Sequence, residues 1–160
     1  MKKMNNVKLV AAMVFVSGLI AGAAIAADTS VAAGTMITPD QLTWKPSPRV
    51  VGLENADMIG DSSKGGAYVY RVKFPAKYKM EAHSHPEDRN YTIISGTWNV
   101  GWGEKFDATA LKALPPGSFY TEPANVPHFL LAGDEPVVVQ ISGTGPSGVK
   151  YVDPANAPKK

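Results

Sequence analysis

The chain has 160 residues, with 16 basic side chains, 14 acidic ones, three histidines and no cysteine. Without cysteine there is neither a disulfide framework nor an acylated-cysteine lipid anchor, so a hydrophobic core has to hold the fold. No internal repeat is visible, which suits one domain.

In chain order, "MKKMNNVK" is a basic head and "LVAAMVFVSGLIAGAAIA" an apolar run that closes on "AIA" before Ala27. This is the pattern of a secretory signal peptide, residues 1–26, cleaved after Ala26. An uncleaved anchor is the competing reading, since the run is just long enough to span a bilayer. The Ala- and Gly-rich composition and the lack of a basic stop-transfer flank favour cleavage. Residues 1–26 carry Lys2, Lys3 and Lys8 and no acid, so the mature chain keeps 13 basic against 14 acidic side chains, a formal net charge of −1. Nothing in that balance argues for nucleic acid or anionic lipid as a partner. The expected location is the periplasm, or outside the cell in a host that lacks an outer membrane, with no membrane attachment after cleavage. The roughly 134 residues that remain are enough to bury a core.

Residues 27–37 read as a flexible leader. In "TPDQL", Thr38 is a candidate N-cap and Pro39 suits the first helical position, which predicts one helical turn. "WKPSPRVVGL" is extended and broken by proline. "AYVYRVKFP" alternates, with Tyr68, Tyr70, Val72 and Phe74 on one face and Arg71 and Lys73 on the other. "YKMEAHSH", "RNYTIIS" and "TWNVGW" are further strands, the last with Trp98, Val100 and Trp102 on one face. "GEKFDATALKALPPG" is a helical candidate of one or two turns capped by Asp107. "GSFYTEP", "PHFLLA", "PVVVQIS" and "VKYVD" complete the strands, and residues 155–160 form a tail. Many short strands separated by turn residues predict an all-β fold, an antiparallel sandwich or barrel.

The three histidines are His83, His85 and His128. The first two lie at i and i+2, so on one strand they point the same way, with Cα atoms roughly 6.6 Å apart. Two such imidazoles can meet one ion at about 2.0–2.1 Å per bond. The turn "EPANVP" then feeds a strand that can bring His128 to the same point.

The spacing around these residues resembles the cupin superfamily. Its first motif is H-x-H, three or four residues, Glu, six residues, Gly. Here it runs His83, His85, three residues, Arg89, six residues, Gly96. The second motif is matched by Gly117, "SFYTE", Pro123, Asn125 and His128, with Asn125 in place of a glycine, a change that a left-handed turn position tolerates. "TPDQLTWKPSP", "GTWNVGWGEKFD", "GSFYTEPANVPHF" and "VVVQISGTGP" are similar to small secreted single-domain bacterial cupins. The resemblance implies a single antiparallel β-barrel or jelly roll (a double-stranded β-helix) over residues 38–154. It also implies a divalent transition metal, Fe, Mn, Zn, Ni or Cu, on His83, His85 and His128. It does not fix a reaction, since cupins host many.

Arg89 stands in the glutamate slot, and a guanidinium cannot ligate a metal. Three neutral imidazoles leave the ion its full charge, and a buried cation beside it demands an anion. Glu87 or Asp88 from the same turn can supply it, as can Glu122. So can a small organic anion, a carboxylate, enolate or phenolate held bidentately by Arg89 while another oxygen meets the metal. In the opposite reading, Arg89 turns outward and pairs with Glu87 or Asp88 on the rim. Asn90 takes the slot if the spacing is read one residue longer. Tyr91 shares Arg89's face and projects a phenol into the same cavity. Trp98 and Trp102 are barrel packing, a dimer face or a pocket wall. Gln140, in the apolar run "VVVQI", is read as a second support for a histidine. Ile94 beside Thr92 keeps an outward face apolar, which suits a homodimer.

The functional expectation is an exported metalloenzyme acting on a small carboxylate or enol, as a dioxygenase-like oxidoreductase, a lyase or an isomerase, with Arg89 and Tyr91 as catalytic residues. The alternatives are a non-catalytic metal or small-ligand binding protein and a barrel whose histidines stay empty.

Overall fold

Eleven strands follow the alternation of the sequence, in a computed structural model that describes residues 34–47 and 50–158. They are β1 (Lys45–Pro46), β2 (Glu54–Ile59), β3 (Gly66–Phe74), β4 (Lys79–Ser84), β5 (Arg89–Ser95), β6 (Trp98–Trp102), β7 (Lys112–Leu114), β8 (Phe119–Glu122), β9 (His128–Ala132), β10 (Val137–Gly145) and β11 (Lys150–Tyr151). The predicted signal peptide and most of the predicted leader lie outside the described residues.

The strands form two antiparallel sheets. One has the order β1-β2-β3-β10-β5-β8 and the other β11-β4-β9-β6-β7. The longer strands turn one face inward. Tyr68, Tyr70, Val72 and Phe74 of β3 are buried, as are Val137, Val139 and Ile141 of β10 and Tyr91 and Ile93 of β5. Met80, Trp98, Val100, Leu130 and Ala132 answer them from the second sheet, so a single apolar cluster fills the space between the two. At about 25 cal/mol per Å² of apolar surface, this burial is the main favourable term in a chain without a disulfide.

Two devices set where the site falls. Gly96, in the turn between β5 and β6, has φ +72°, and a Cβ there would lie 2.6 Å from the Pro136 carbonyl oxygen. Asn125 sits at φ 62° in the turn before β9, so it fills the left-handed position in place of a glycine. Its N–H donates to the His85 carbonyl (2.7 Å), and the Ala124 N–H donates to Asp88 Oδ1 (2.7 Å). These two bonds stitch the loop after His85 to the loop before His128.

Several expectations change. The predicted helix over 103–117 shrinks to one 3₁₀ turn, Ala108–Ala110, with Asp107 accepting from the Thr109 N–H as expected. "KAL" after it is instead the edge strand β7, because pairing with β6 outweighs its helical propensity. The turn predicted at "TPDQL" is a 3₁₀ turn, Pro39–Gln41. Gln140 supports no histidine. It faces outward and accepts from Arg71 Nε (3.2 Å) of the neighbouring strand.

Candidate metal centre

His83 is the last residue but one of β4, His128 begins β9, and the two face each other in register across the pair. His85 follows one residue after β4. All three rings are buried, at 0%, 3% and 0% exposure for His83, His85 and His128. One ring nitrogen from each lies within 4.8 Å of the others. The strand parity of H-x-H and the proline turn thus bring the predicted trio together.

Each ring is held by its Nδ1. His83 Nδ1 is 2.8 Å from the Glu81 carbonyl, His85 Nδ1 2.6 Å from the Gly148 carbonyl, and His128 Nδ1 3.0 Å from the Val126 carbonyl. A carbonyl only accepts, so each Nδ1 carries the proton and donates it. The three Nε2 atoms are then bare lone pairs. Burial, reinforced by the other two imidazoles, pushes the His83 ring down to about 3. Burial also lowers His85, against the pull of Glu122 and with the help of Arg89. Both rings are neutral at pH 7.

Glu122, fully buried, ends β8 and closes the cluster. Its Oε2 lies 3.3 Å from His85 Nε2 and its Oε1 3.2 Å from His128 Nε2. Buried carboxylate oxygens therefore face lone pairs across contacts that hold no proton of their own. His83 Nε2, His128 Nε2 and Glu122 Oε2 are all buried without a hydrogen-bond partner. Such a set is costly unless a cation sits among it. The donors present, three buried imidazoles and a carboxylate, are positioned to hold a first-row divalent metal.

Arg89 points inward, at 4% exposure. Its Nε donates to Glu87 Oε1 (2.8 Å), and Nη2 donates to Ser147 Oγ (2.5 Å) and the Gly148 carbonyl (2.9 Å). Nη1 lies 3.4 Å from Tyr91 Oη and 3.3 Å from His85 Nε2. The inward reading and the pairing with Glu87, posed as alternatives, therefore occur together. Two edges of the guanidinium are engaged by protein, so the expected bidentate grip on a ligand is not available. Only the Nη1 edge looks into the site.

Of the carboxylates named from sequence, Glu87 serves Arg89 and also accepts from Tyr68 Oη (2.8 Å), and Asp88 holds the Ala124 N–H. Asn90 is exposed. Tyr91 is buried and its ring stacks on Tyr120, centroids 4.7 Å apart. Tyr120 donates to Glu122 Oε1 (3.1 Å) and accepts from Trp98 Nε1 (2.9 Å). Trp98 is therefore core, 4.4 Å from Phe74 by centroids, while Trp102 is 47% exposed with its ring 5.6 Å from that of His128. Tyr120 was not singled out from sequence, although it shares the inward face of β8 with Glu122.

Beside the imidazoles is a cavity of about 50 Å³. His83, His85, Arg89 and Tyr91 are among its polar lining, with Asn55 and Tyr70, and Val72, Phe74, Met80, Leu130 and Ile141 are among its apolar lining.

The family described as the ChrR Cupin-like domain matches residues 32–147. No curated protein matches the sequence. Among solved structures, the polyketide cyclase RemF from Streptomyces resistomycificus is similar at 11% identity and TM-score 0.62, over 76% of this chain and 87% of that one. A putative acetylacetone dioxygenase from Methylibium petroleiphilum PM1 is similar at 21% identity and TM-score 0.58, over 82% and 89%. An RmlC-like cupin from Shewanella frigidimarina NCIMB 400 gives 12% identity and TM-score 0.54, over 71% and 93%. At these identities the likeness is one of fold.

Proposed function

The chain belongs to the ChrR cupin-like family, and from that premise we propose that it is an exported protein that holds a divalent transition metal on His83, His85 and His128 and receives a small organic anion beside it. The observation that carries this reading is the set of three Nδ1–H groups tied to backbone carbonyls, which leaves three buried Nε2 lone pairs aimed at one point. A bound metal would supply Lewis-acid polarisation of an anion oxygen. Imidazole-rich ligation suits Fe, Mn, Zn, Ni and Cu alike.

The chain's own residues do the rest. Arg89 Nη1 supplies one N–H donor where the anion's charge would lie, next to His85 Nε2. Tyr91, its hydroxyl within reach of that same Nη1, offers a phenol to the cavity. The apolar walls exclude water and strengthen both contacts. The cavity is small, which supports a ligand of few atoms, a short carboxylate or enolate. The reaction class this supports is dioxygenase-like oxidation, or a lyase or isomerase step, on that anion.

Export is supported by the basic head, the apolar run and "AIA" before Ala27. The same features support a periplasmic location, or one outside a cell that lacks an outer membrane. A homodimer is supported by Ile94 and Phe119, both exposed on the first sheet, with Phe119 in register beside Thr92.

The closed character of the centre, with every named ligand at or below 3% exposure, favours a second reading, passive binding of metal or small ligand without turnover. Metal analysis of untagged protein, with His128→Ala beside it, tests the shared premise. The variant is expected to lose most of its metal, and full stoichiometry in it would rule out the three-imidazole centre. Oxygen uptake and product formation with a panel of short carboxylates and 1,3-dicarbonyl acids, repeated with Arg89→Met, then separate enzyme from binder. Turnover that falls in the variant supports catalysis, and no turnover with any panel member supports passive binding.

A further inference from the structure

The position that faces Arg89 across the β5–β8 ladder is Glu122. Residues directly opposite on an antiparallel pair have Cβ atoms about 4.5–5.5 Å apart and project to the same side of the sheet. A side chain on β8 at this register therefore reaches the same space as one at Arg89 on β5. The structure bears this out, since Arg89 Nη1 and Glu122 Oε2 are each 3.3 Å from the same atom, His85 Nε2.

The distances from Glu122 to the imidazoles have the size that shared coordination needs. Donors about 2.1 Å from one ion are spaced roughly 3.0 Å along an octahedral edge and 3.4 Å along a tetrahedral one. The separation of Oε2 from His85 Nε2, 3.3 Å, falls between these, as does that of Oε1 from His128 Nε2, 3.2 Å. Oε1 is fixed by the Tyr120 hydroxyl, which is itself oriented by Trp98 Nε1–H. Oε2 has no hydrogen bond and is buried.

We propose that Glu122 is the carboxylate ligand of this centre, moved by one strand from the position that Arg89 occupies to the residue paired with it, and that Tyr120 positions it. This deepens, and rests on, the three-imidazole reading above. The exchange also accounts for Arg89. With the anion relocated to β8, the β5 position is free to carry a cation, which pairs with Glu87 and braces the Gly148 carbonyl that fixes the His85 tautomer.

The test uses the mature chain and Co(II), whose visible d–d bands report ligand set and geometry, with Zn(II) competition for affinity. Glu122→Gln keeps the shape, and is expected to weaken Co(II) binding by ~100-fold or more and to shift the bands, beyond the 10–100-fold typical of groups that only support a ligand. Returning the carboxylate to β5 in that background, as Arg89→Glu with Glu122→Gln, is expected to recover at least ~10-fold of the lost affinity. Tyr120→Phe, which leaves all four ligands, is expected to shift the bands while costing less than Glu122→Gln. A Glu122→Gln protein with wild-type affinity and spectrum overturns the assignment. A folded double variant with no recovery overturns the exchange between strands. If the wild-type chain binds neither ion, the three-imidazole reading itself fails, an outcome distinct from both.

Discussion

Arg89 and Glu87 form a buried ion pair whose removal is calculable in sign and approximate size. Their side chains are 4% and 9% exposed and their closest contact is 2.8 Å. Among the described residues, Glu87 is the only carboxylate in ion-pair contact with this guanidinium. The substitution to make is Glu87→Gln. It keeps Oε1, which accepts from both Tyr68 Oη and Arg89 Nε, and removes only the charge. Breaking a buried pair by neutralising one partner costs about 3–5 kcal/mol, because the remaining charge is left uncompensated. The isosteric amide puts this case at the lower end, about 3 kcal/mol. Out of a total stability of about 5–15 kcal/mol this is large, and for a chain of this size it corresponds to a fall in Tm of roughly 12 °C. Replacing both partners, as Glu87→Gln with Arg89→Met, removes the stranded charge and is expected to return stability to within about 1 kcal/mol of wild type. The assay is urea denaturation of the four proteins of this cycle at pH 7 in the presence of EDTA, so that bound metal does not enter the comparison. A loss below about 1 kcal/mol in Glu87→Gln would show that the guanidinium is neutralised elsewhere. A double variant no more stable than the single one would show that Arg89 acts through its bonds to Ser147 and Gly148 rather than its charge.

The metal-free protein is expected to lose stability as pH falls from about 6.5 toward 3. His83 is held near 3 in the fold, so below 6.5 the unfolded chain takes up a proton that the folded one refuses. At about 1.4 kcal/mol per pH unit the loss from this ring is about 1.5 kcal/mol by pH 5.5 and reaches about 5 kcal/mol near pH 3, and the lowered His85 adds to it. Urea midpoints of EDTA-treated protein at pH 7.5 and 5.5 check this, and equal midpoints would contradict the burial of a neutral ring. Gly96→Ala is expected to destabilise by 2 kcal/mol or more, by the order of magnitude for a strained backbone combined with a clash, since the added methyl meets the Pro136 carbonyl at φ +72°. Thermal melting measures it, and a change of less than about 0.5 kcal/mol would mean that the β5–β6 turn gives way freely. Asn125→Val is expected to lower metal affinity more than Asn125→Gly, because a β-branched residue at φ 62° displaces the turn that delivers His128. Isothermal titration with Zn(II) compares the two.

The parts of the site legible from sequence are those set by local period. The i, i+2 spacing of His83 and His85 aims both rings the same way on any strand, and the turn residues Pro123 and Asn125 signal the return that delivers His128. The same parity put Arg89 and Tyr91 on one inward face. Other parts depend on which strand lies beside which. Glu122 is far from Arg89 in sequence and becomes its neighbour only through the β5–β8 pairing, so its place at the imidazoles had no local signal that set it above Glu87 or Asp88. The parity of Tyr120 and Glu122 on β8 was the one available hint. Gln140 failed for a related reason. Val137, Val139 and Ile141 face the core while Val138 and Gln140 face out, but the apolar residue at 138 hides the alternation and makes the run look buried on both sides. In "KAL" a local preference for helix yielded to the edge of a sheet. Ring placement in this centre is thus written along single strands, whereas its charge balance is written across them. A family pattern read linearly registers Arg89 as a missing ligand. Read across the ladder, the same position and its partner still hold one carboxylate between them, and the arginine has become the group that keeps the His85 carbonyl anchor in place.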